Sequence, residues 1–413
     1  MFEKPNKSAV PAEKDPMASS EKLYLDTTPP KGKGVGRLMP AIVFVVFILG
    51  MAIWFIFNPK SDFSASEKRP LQKFPDASLE NIISGDFGTE FESYFADHFP
   101  ARNLWVGFNA YYQLDTGNNG ASGIYRCKDG YLINKPVENP WGLQDNINVV
   151  TDFKQTVKDT PMTMMLVPST GYVCDDVLPL IHNAYEDDAY FADAAQKLSD
   201  GGVSFIDLRD SFKQAYRDGK QLYYKTDHHW TTYGAYLGAY RYLHRNSAIE
   251  KTDITEIMAG IETYAPETKS SAFLGALYSR APLSCVHGED LDLPQNLPEV
   301  TVTIGNGTGA VYVEEKMETK DKYSTYFGGN HSEVVIENPA CENGKTLVLI
   351  KDSFANSMVP YLMDSYSKII MLDLRYFDGS VMNYIKEAQP DEILFLYELS
   401  QFAEAEHFSK LIR

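Results

Sequence analysis

Cysteine is scarce in this chain, and the scarcity excludes two kinds of protein. Only four cysteines occur among 413 residues, at Cys127, Cys174, Cys285 and Cys341. Four are too few for a disulfide scaffold. No two of them have the Cys-x-x-Cys spacing, so neither a folding zinc cluster nor a thioredoxin-type redox motif is expected.

The chain also lacks an excess of basic residues. It has 38 Lys and Arg against 56 Asp and Glu, which gives a formal charge of −18. A surface that binds nucleic acid needs the opposite balance, because it must neutralise phosphates. With 44% apolar and 13% aromatic residues the chain is not of the disordered type, and its length suits one large domain or two ordinary ones.

What the chain does have is a long run without charge, Met39–Phe57. As a helix it would be about 28 Å long, close to the roughly 30 Å of a hydrocarbon core. Lys31, Lys33 and Arg37 precede it, so the positive-inside rule puts the N-terminus in the cytoplasm and the body outside the cell membrane or in the periplasm. A cleaved signal peptide is the alternative, but its apolar core usually spans only about 7–15 residues. No small-x-small cleavage site directly follows Phe57, where the chain reads Asn58-Pro59-Lys60-Ser61, which favours an uncleaved single-pass anchor.

The composition predicts four segments along the chain. We expect a cytoplasmic tail over 1–38, a transmembrane helix over 39–57, a polar stalk with several prolines over 58–76, and an extracellular domain over 77–413.

Apolar runs of strand length alternate with helix-like stretches in the predicted domain. The runs are Met162–Val167, Val203–Leu208, Thr346–Ile350, Lys368–Leu372 and Glu392–Leu396. Such runs predict an α/β fold, a three-layer sandwich whose mostly parallel sheet is covered on both faces. Ligands of such sheets gather outside the carboxyl ends of the strands, so the polar residues that follow each run are candidates for chemistry.

The stretch 297–337 differs, and we expect an antiparallel, β-rich insertion there. Its string Gly305-Asn306-Gly307-Thr308-Gly309 is only superficially like a dinucleotide-binding loop, because no helix-forming segment follows it. No cofactor is expected.

Two polar clusters supply the parts of a serine hydrolase or transferase. Asp227, His228 and His229 are consecutive, and Ser353 follows the apolar run that ends at Ile350. A serine hydroxyl needs an adjacent base, imidazole is the usual one, and a carboxylate on the other ring nitrogen holds the imidazole in place. Asp227 and His229 share one face of an extended segment, so we expect Ser353, His229 and Asp227 to be the catalytic residues and His228 to point away.

Each cluster also has a plainer interpretation. Ser353 and Asp352 are both of the type that caps a helix. Asp227, His228 and His229 could instead bind a metal, although adjacent histidines on a strand face opposite ways. We expect no metal.

The string TDHHWTTYGAY (226–236) resembles the signature of the DHHW protein family. That family is similar to the alginate O-acetylation proteins of the bacterial cell envelope, whose SGNH-hydrolase-like domains have a permuted motif order. Further segments agree over about 67–400: Phe91–Asn103, Tyr125–Ile133, Phe273–Arg280, Tyr326–His331, Ile350–Phe354 and Leu372–Phe377.

The resemblance implies an acetyl-enzyme mechanism, with Asp227 orienting, His229 as base and Ser353 as nucleophile. It also implies an arginine and a tyrosine near the acyl oxygen, for which Arg375 and Tyr397 are the candidates, and Asn330 as a further oxyanion donor. One departure is Lys351-Asp352-Ser353, where classical SGNH enzymes have Gly-Asp-Ser.

The leading hypothesis is therefore an O-acetyltransferase acting on a cell-envelope or exopolysaccharide glycan. The resemblance suggests a multipass membrane-bound O-acyltransferase as the partner that donates the acetyl group. Two alternatives stay open at this point: a carbohydrate acetyl esterase with the same triad, and a non-catalytic glycan-binding or scaffold subunit of an envelope polysaccharide complex.

Overall fold

The computed structural model describes residues 38–64, 69–137, 139–246 and 253–412. These residues form two compact units that divide between Pro59 and Lys60. The tail expected over 1–38 lies, apart from Leu38, outside the described residues. The bounds of the stalk and of the extracellular domain stay predictions.

The first unit contains one helix, α1 (Met39–Phe57), with a proline in its first turn and no buried residue. Within the described part of the chain, it is the one helix long and apolar enough to cross a membrane, with a mean hydropathy of 2.7. An apolar helix over the predicted residues is confirmed, and its crossing of a membrane stays a prediction. Its length and composition would suit an anchor and a signal sequence alike.

The second unit is an α/β domain. Its strands are β1 (Phe63–Ser64), β2 (Arg69–Pro70), β3 (Gly120–Ala121), β4 (Ile124–Arg126), β5 (Leu132–Asn134), β6 (Met162–Val167), β7 (Ser204–Asp207), β8 (Pro266–Phe273), β9 (Glu289–Pro294), β10 (Thr301–Ile304), β11 (Gly307–Thr308), β12 (Glu333–Glu337), β13 (Thr346–Lys351), β14 (Lys368–Leu372) and β15 (Glu392–Glu398). Its α-helices are α2 (Leu79–Ser84), α3 (Asp86–Asp97), α4 (Arg102–Asp115), α5 (Pro140–Thr156), α6 (Thr170–Val173), α7 (Asp187–Asp200), α8 (Arg209–Arg217), α9 (Thr232–Leu243), α10 (Ile254–Ala259), α11 (Ala276–Arg280), α12 (Ala355–Met358), α13 (Val381–Ala388) and α14 (Leu399–Ala403).

The main sheet has eight strands in the order β11-β10-β12-β14-β13-β15-β6-β7. The five strands from β14 to β7 are parallel to one another, and each overlaps one of the apolar runs found in the sequence. The predicted fold class, a mostly parallel sheet within an α/β sandwich, is confirmed.

The segment 297–337 is β-rich, as expected, but it is not a separate insertion. Strand β12 pairs antiparallel with β14, and β10 pairs with β12 and with β11. The segment thus extends the main sheet, because alternate residues of β12 such as Val334 and Ile336 are buried in the core and complete one face.

Two apolar clusters cover the two faces of the sheet. On β13, Leu347 and Leu349 belong to one cluster, together with residues of α8, α9, α10 and α12. Val348 and Ile350 belong to the other, together with residues of α5, α7, α13 and α14. Because side chains alternate along a strand, the position of a residue on β13 or β15 decides on which face of the sheet its side chain packs.

The parallel strands bring their carboxyl ends to one edge of the sheet. Lys351 of β13 pairs with Leu396 of β15, and Glu398 at the end of β15 pairs with Val167 of β6. The turn that carries Ser353 therefore begins at this edge, beside the end of β15.

The central strand β13 should be a major source of stability. Leu349 is fully buried, so Leu349→Ala in residues 60–413 should lower the free energy of unfolding by about 2–5 kcal/mol through lost burial and a residual cavity. Urea unfolding measures the change. Leu180→Ala is the matched control, because Leu180 is 99% exposed and its removal should leave stability almost unchanged. Equal effects of the two variants would contradict the placement of β13.

Candidate active site

Three of the predicted residues meet at the carboxyl edge of the sheet. The Nε2 atom of His229 lies 2.7 Å from the Ser353 Oγ, and its Nδ1 atom lies 2.5 Å from the Asp227 Oδ1. All three side chains are buried, with residue exposures of 8% for Ser353, 2% for His229 and 1% for Asp227. With Nδ1–H donating to the carboxylate, Nε2 is left to accept the serine proton, which is the arrangement of a Ser-His-Asp triad.

The loop that carries Asp227 and His229 is held by a buried carboxylate. Glu289 of β9 accepts hydrogen bonds from the backbone N–H groups of Lys225 and Thr226, each at 2.8 Å, and from the Thr226 hydroxyl. Next to the loop, Tyr223 and Trp230 form an antiparallel bridge. The Tyr223–Trp230 bridge thus joins the two ends of the loop, and Glu289 fixes its backbone at Lys225 and Thr226.

Asp227 is held from its other oxygen by the start of α11. The backbone N–H of Ala276 donates to Asp227 Oδ2 at 2.7 Å. A Cβ atom on Gly275 would lie 2.2 Å from the Asp227 Cβ and 2.3 Å from its Oδ2. The absence of a side chain at Gly275 is therefore what lets the carboxylate approach this helix.

His228 does not point away from the site, so that expectation is wrong. Its ring centroid lies 4.1 Å from that of His229, and its Nδ1 lies 3.7 Å from Asp227 Oδ1. Side chains alternate between two faces only in an extended strand, but residues 225–229 form consecutive bends. The two imidazoles consequently lie side by side.

The proximity of Asp227, His228 and His229 makes a metal site worth testing against the geometry. One potential ligand atom from each residue lies within 4.8 Å of the others. Both oxygens of Asp227 and both ring nitrogens of His229 are already in hydrogen bonds, however. An ion would have to displace those bonds, so the donor set fits a triad better than a metal centre.

Two aromatic residues for which the sequence predicted no role pack around the site. The ring of Tyr323 stacks on that of His229, with centroids 3.7 Å apart and an interplanar angle of 10°. Trp230 Nε1 donates to the carbonyl of Phe354 at 3.0 Å and to the Ser357 hydroxyl at 2.8 Å, which ties the loop to the turn after Ser353. Tyr323 is one of 26 tyrosines, and no spacing in the sequence distinguishes it.

Asn330 lies beside the turn that carries Ser353. Its Oδ1 accepts hydrogen bonds from the Lys351 ammonium and from the Asn356 amide, each at 3.1 Å. The oxyanion role expected for Asn330 stays a prediction.

Arg375 follows β14, as expected, whereas Tyr397 lies within β15, which extends to Glu398. Tyr397 packs among Phe402 and Phe408 in the second cluster, and Arg375 forms a bidentate pair with Asp373 at 2.6 and 2.9 Å. Both line a cavity of about 190 Å³, whose lining also includes Asp352. Their expected role near the acyl oxygen is not tested by these contacts and stays a prediction.

Buried ionisable groups surround the turn that carries Ser353. Burial raises the pKa of Asp352 to about 6 and that of Glu398 to about 7. Backbone N–H groups oppose this shift: Phe354 and Glu398 donate to Asp352, while Ser400 and Gln401 donate to Glu398. Burial also lowers the pKa of Lys351 to about 8, although the charge of Asp373 acts in the opposite direction.

The fold and the triad together define an SGNH-hydrolase-like protein. A family model described as "SGNH hydrolase-like domain, acetyltransferase AlgX" matches residues 133–317, a range that contains Asp227 and His229 and ends before Ser353. The probable alginate O-acetylase AlgJ of Pseudomonas aeruginosa is 24% identical over 261 residues, which are 62% of each chain. This chain thus spans less than two thirds of that relative's length.

Solved structures give the same result for the fold. A DHHW family protein from Eubacterium siraeum superposes with a TM-score of 0.56 at 22% identity, covering 70% of this chain and 94% of its own. Bacillus cereus PatB1, solved with a sulfonyl adduct, gives a TM-score of 0.55 at 27% identity, covering 69% of this chain and 97% of its own. The recognition made from the DHHW string is confirmed. This chain is therefore similar to the AlgX and AlgJ proteins and has an SGNH-like α/β fold.

Gly275 offers a direct test of the triad. Gly275→Ala should push Asp227 away from His229, and a displacement of about 1 Å at a catalytic group can lower the rate about 10²-fold. The measurement is hydrolysis of a chromogenic acetyl ester, with Ser353→Ala as blank. Gly88→Ala is the matched control, because a Cβ on Gly88 meets nothing within 4 Å. A wild-type rate in Gly275→Ala would contradict this role of Asp227.

Glu398 should make stability depend on pH. Its folded pKa of about 7 lies above the value of about 4.3 in an unfolded chain, so the folded state holds the extra proton between these values. Stability should therefore fall as pH rises from 5 through about 7. In Glu398→Gln, which retains an acceptor for Ser400 and Gln401, urea unfolding should show a shallower fall. Glu404→Gln, at an exposed carboxyl, should keep the wild-type slope, and an identical slope in all three proteins would contradict the assignment.

Proposed function

We propose that this protein is a membrane-anchored extracellular O-acetyltransferase that moves acetyl groups onto a cell-envelope or exopolysaccharide glycan through an acetyl-serine intermediate. The observation that carries the proposal is the hydrogen-bonded series Asp227, His229 and Ser353. The similarity to an acetyltransferase family model and to alginate O-acetylases supports acetyl as the group and a glycan as the acceptor.

The chemistry follows from the two sides of the imidazole. The Ser353 Oγ attacks the carbonyl carbon of the acetyl donor while Nε2 of His229 takes the hydroxyl proton, and the donor's leaving group departs with that proton. Asp227 stabilises the imidazolium through Nδ1–H. A sugar hydroxyl then attacks acetyl-Ser353, gives its proton to His229, and leaves as the acetyl ester while Ser353 regains its hydrogen.

The apolar helix α1 bears on which side of the membrane the reaction would take place. We propose that it is an uncleaved anchor with the N-terminus in the cytoplasm, which leaves the domain outside or in the periplasm. A multipass membrane-bound O-acyltransferase is the proposed acetyl donor partner. Tethering the acceptor enzyme in the same bilayer raises the effective concentration for the handover.

The decisive experiment follows the nucleophile by intact mass. Residues 60–413, incubated with a chromogenic acetyl ester and separately with phenylmethanesulfonyl fluoride, should gain one acetyl or one sulfonyl group at Ser353. Ser353→Ala should gain neither, and the matched control Ser93→Ala, at an exposed helical serine, should react as wild type. The sulfonyl reagent tests the activated serine without requiring the natural donor.

Added oligosaccharide distinguishes transfer from hydrolysis. Transfer predicts acetylated sugar and faster loss of the acetyl adduct. Release of acetate alone, unchanged by the sugar, would favour the esterase. Absence of both adducts in the wild type would contradict an activated Ser353 and favour a non-catalytic subunit.

A further inference from the structure

The residue that departs from the usual SGNH pattern, Lys351, carries a buried ammonium. Its side chain is 1% exposed, although lysine is among the residues least often buried. Its Nζ lies 2.8 Å from Asn356 Oδ1, 3.1 Å from Asn330 Oδ1 and 3.5 Å from Asp373 Oδ2. The three ammonium hydrogens thus have three acceptors, one of which is charged.

Neutralising Asp373 does not by itself account for this lysine. Arg375 already binds the Asp373 carboxylate through two nitrogens. Burial alone would raise the pKa of Asp373, yet Arg375 and Lys351 together keep it below its usual range. Burying a second cation beside the same carboxylate costs desolvation free energy. The contacts of Lys351 with the two asparagines therefore need a separate explanation.

Those contacts fix the orientation of one amide. Lysine can only donate, and Asn356 Nδ2 also donates to Asn330 Oδ1. The carbonyl oxygen of Asn330 must therefore face Lys351 and Asn356, which leaves its Nδ2 hydrogens pointing away from these two residues. A cation bonded to an amide oxygen also polarises the group, which makes its N–H hydrogens better donors.

Two residues of this hydrogen-bonded cluster, Lys351 and Asn356, flank Ser353 in the sequence. Lys351 ends β13 two residues before Ser353, and the backbone N–H of Asn356 donates to the Ser353 carbonyl at 3.2 Å. Asn330 is thus held against the turn from which the Ser353 hydroxyl projects. An amide N–H at such a place is the kind of donor that stabilises an acyl oxyanion.

We propose that Lys351 is a positioning residue: its ammonium holds the Asn330 carbonyl and so presents the Asn330 N–H hydrogens to the oxyanion that forms when Ser353 attacks an acetyl group. The inference rests on the acyl transfer proposed above and adds how the oxyanion donor is fixed. Lys351 does not touch the substrate. It acts through Asn330.

The first test separates the donor role from a structural one. Asn330→Asp keeps an acceptor for Lys351 and Asn356 but removes the N–H hydrogens. In the full-length protein in detergent, kcat for acetyl-ester turnover should fall about 10²–10³-fold, with little change in KM and no drop in the thermal unfolding midpoint. An unchanged kcat would overturn the proposal even if Lys351 variants failed to fold.

The second test asks whether Lys351 acts through Asn330. Lys351→Met should lower kcat by a smaller factor than Asn330→Ala, and the double variant should be no slower than Asn330→Ala alone. Fold-losses that multiply would mean independent roles and would overturn the proposal. Lys368→Met, which removes a partly exposed lysine paired with Glu337, is the matched control and should keep the wild-type kcat.

The inactive variant Ser353→Ala distinguishes a failure of the proposed function from a failure of the positioning role of Lys351. If the wild type is no faster than Ser353→Ala, the proposed function fails and the positioning role fails with it. If the wild type is faster and the Lys351 and Asn330 effects multiply, only the positioning role is wrong.

Discussion

The hydrogen bond between His229 and Ser353 is the contact on which the rest of the site depends, because it joins parts of the chain that are 124 residues apart. Each end is fixed by a different element. Ser353 is placed by the end of β13, which lies between the parallel strands β14 and β15. His229 is placed by a loop of bends that Glu289 holds at Lys225 and Thr226. The 2.7 Å contact between His229 Nε2 and Ser353 Oγ therefore depends on the packing of β9 and α11 against the sheet.

Concentrating ionisable groups at one edge has an energetic consequence. Asp352, Asp373 and Lys351 are each 1–2% exposed, and Asp227 of the triad is 1% exposed. Ionised groups in such a place are tolerated only when other charges or hydrogen bonds satisfy them. Here the two apolar clusters on the faces of the sheet supply the compensating stability. The edge can then be kept polar, with pKa shifts in both directions, and still fold.

The sequence is sufficient for features that depend on local pattern. The five apolar runs predict the parallel strands, and the polar residues after them predict the edge where Ser353 lies. It fails where a contact depends on the path of an irregular segment. His228 was expected to face away because strand geometry was assumed for 225–229, and the bends reverse that result. Tyr323 and Gly275 act through close approach between distant segments, which leaves no periodic signal in the chain.

The depth of the site bears on the choice between transfer and hydrolysis. Ser353 is 8% exposed and His229 2% exposed, with Tyr323 stacked on the imidazole. An acetyl group on this serine would sit where few water molecules can be activated by His229, and exclusion of water protects such intermediates from hydrolysis. A sugar that brings its own hydroxyl to Nε2, through binding contacts that water lacks, would have the advantage.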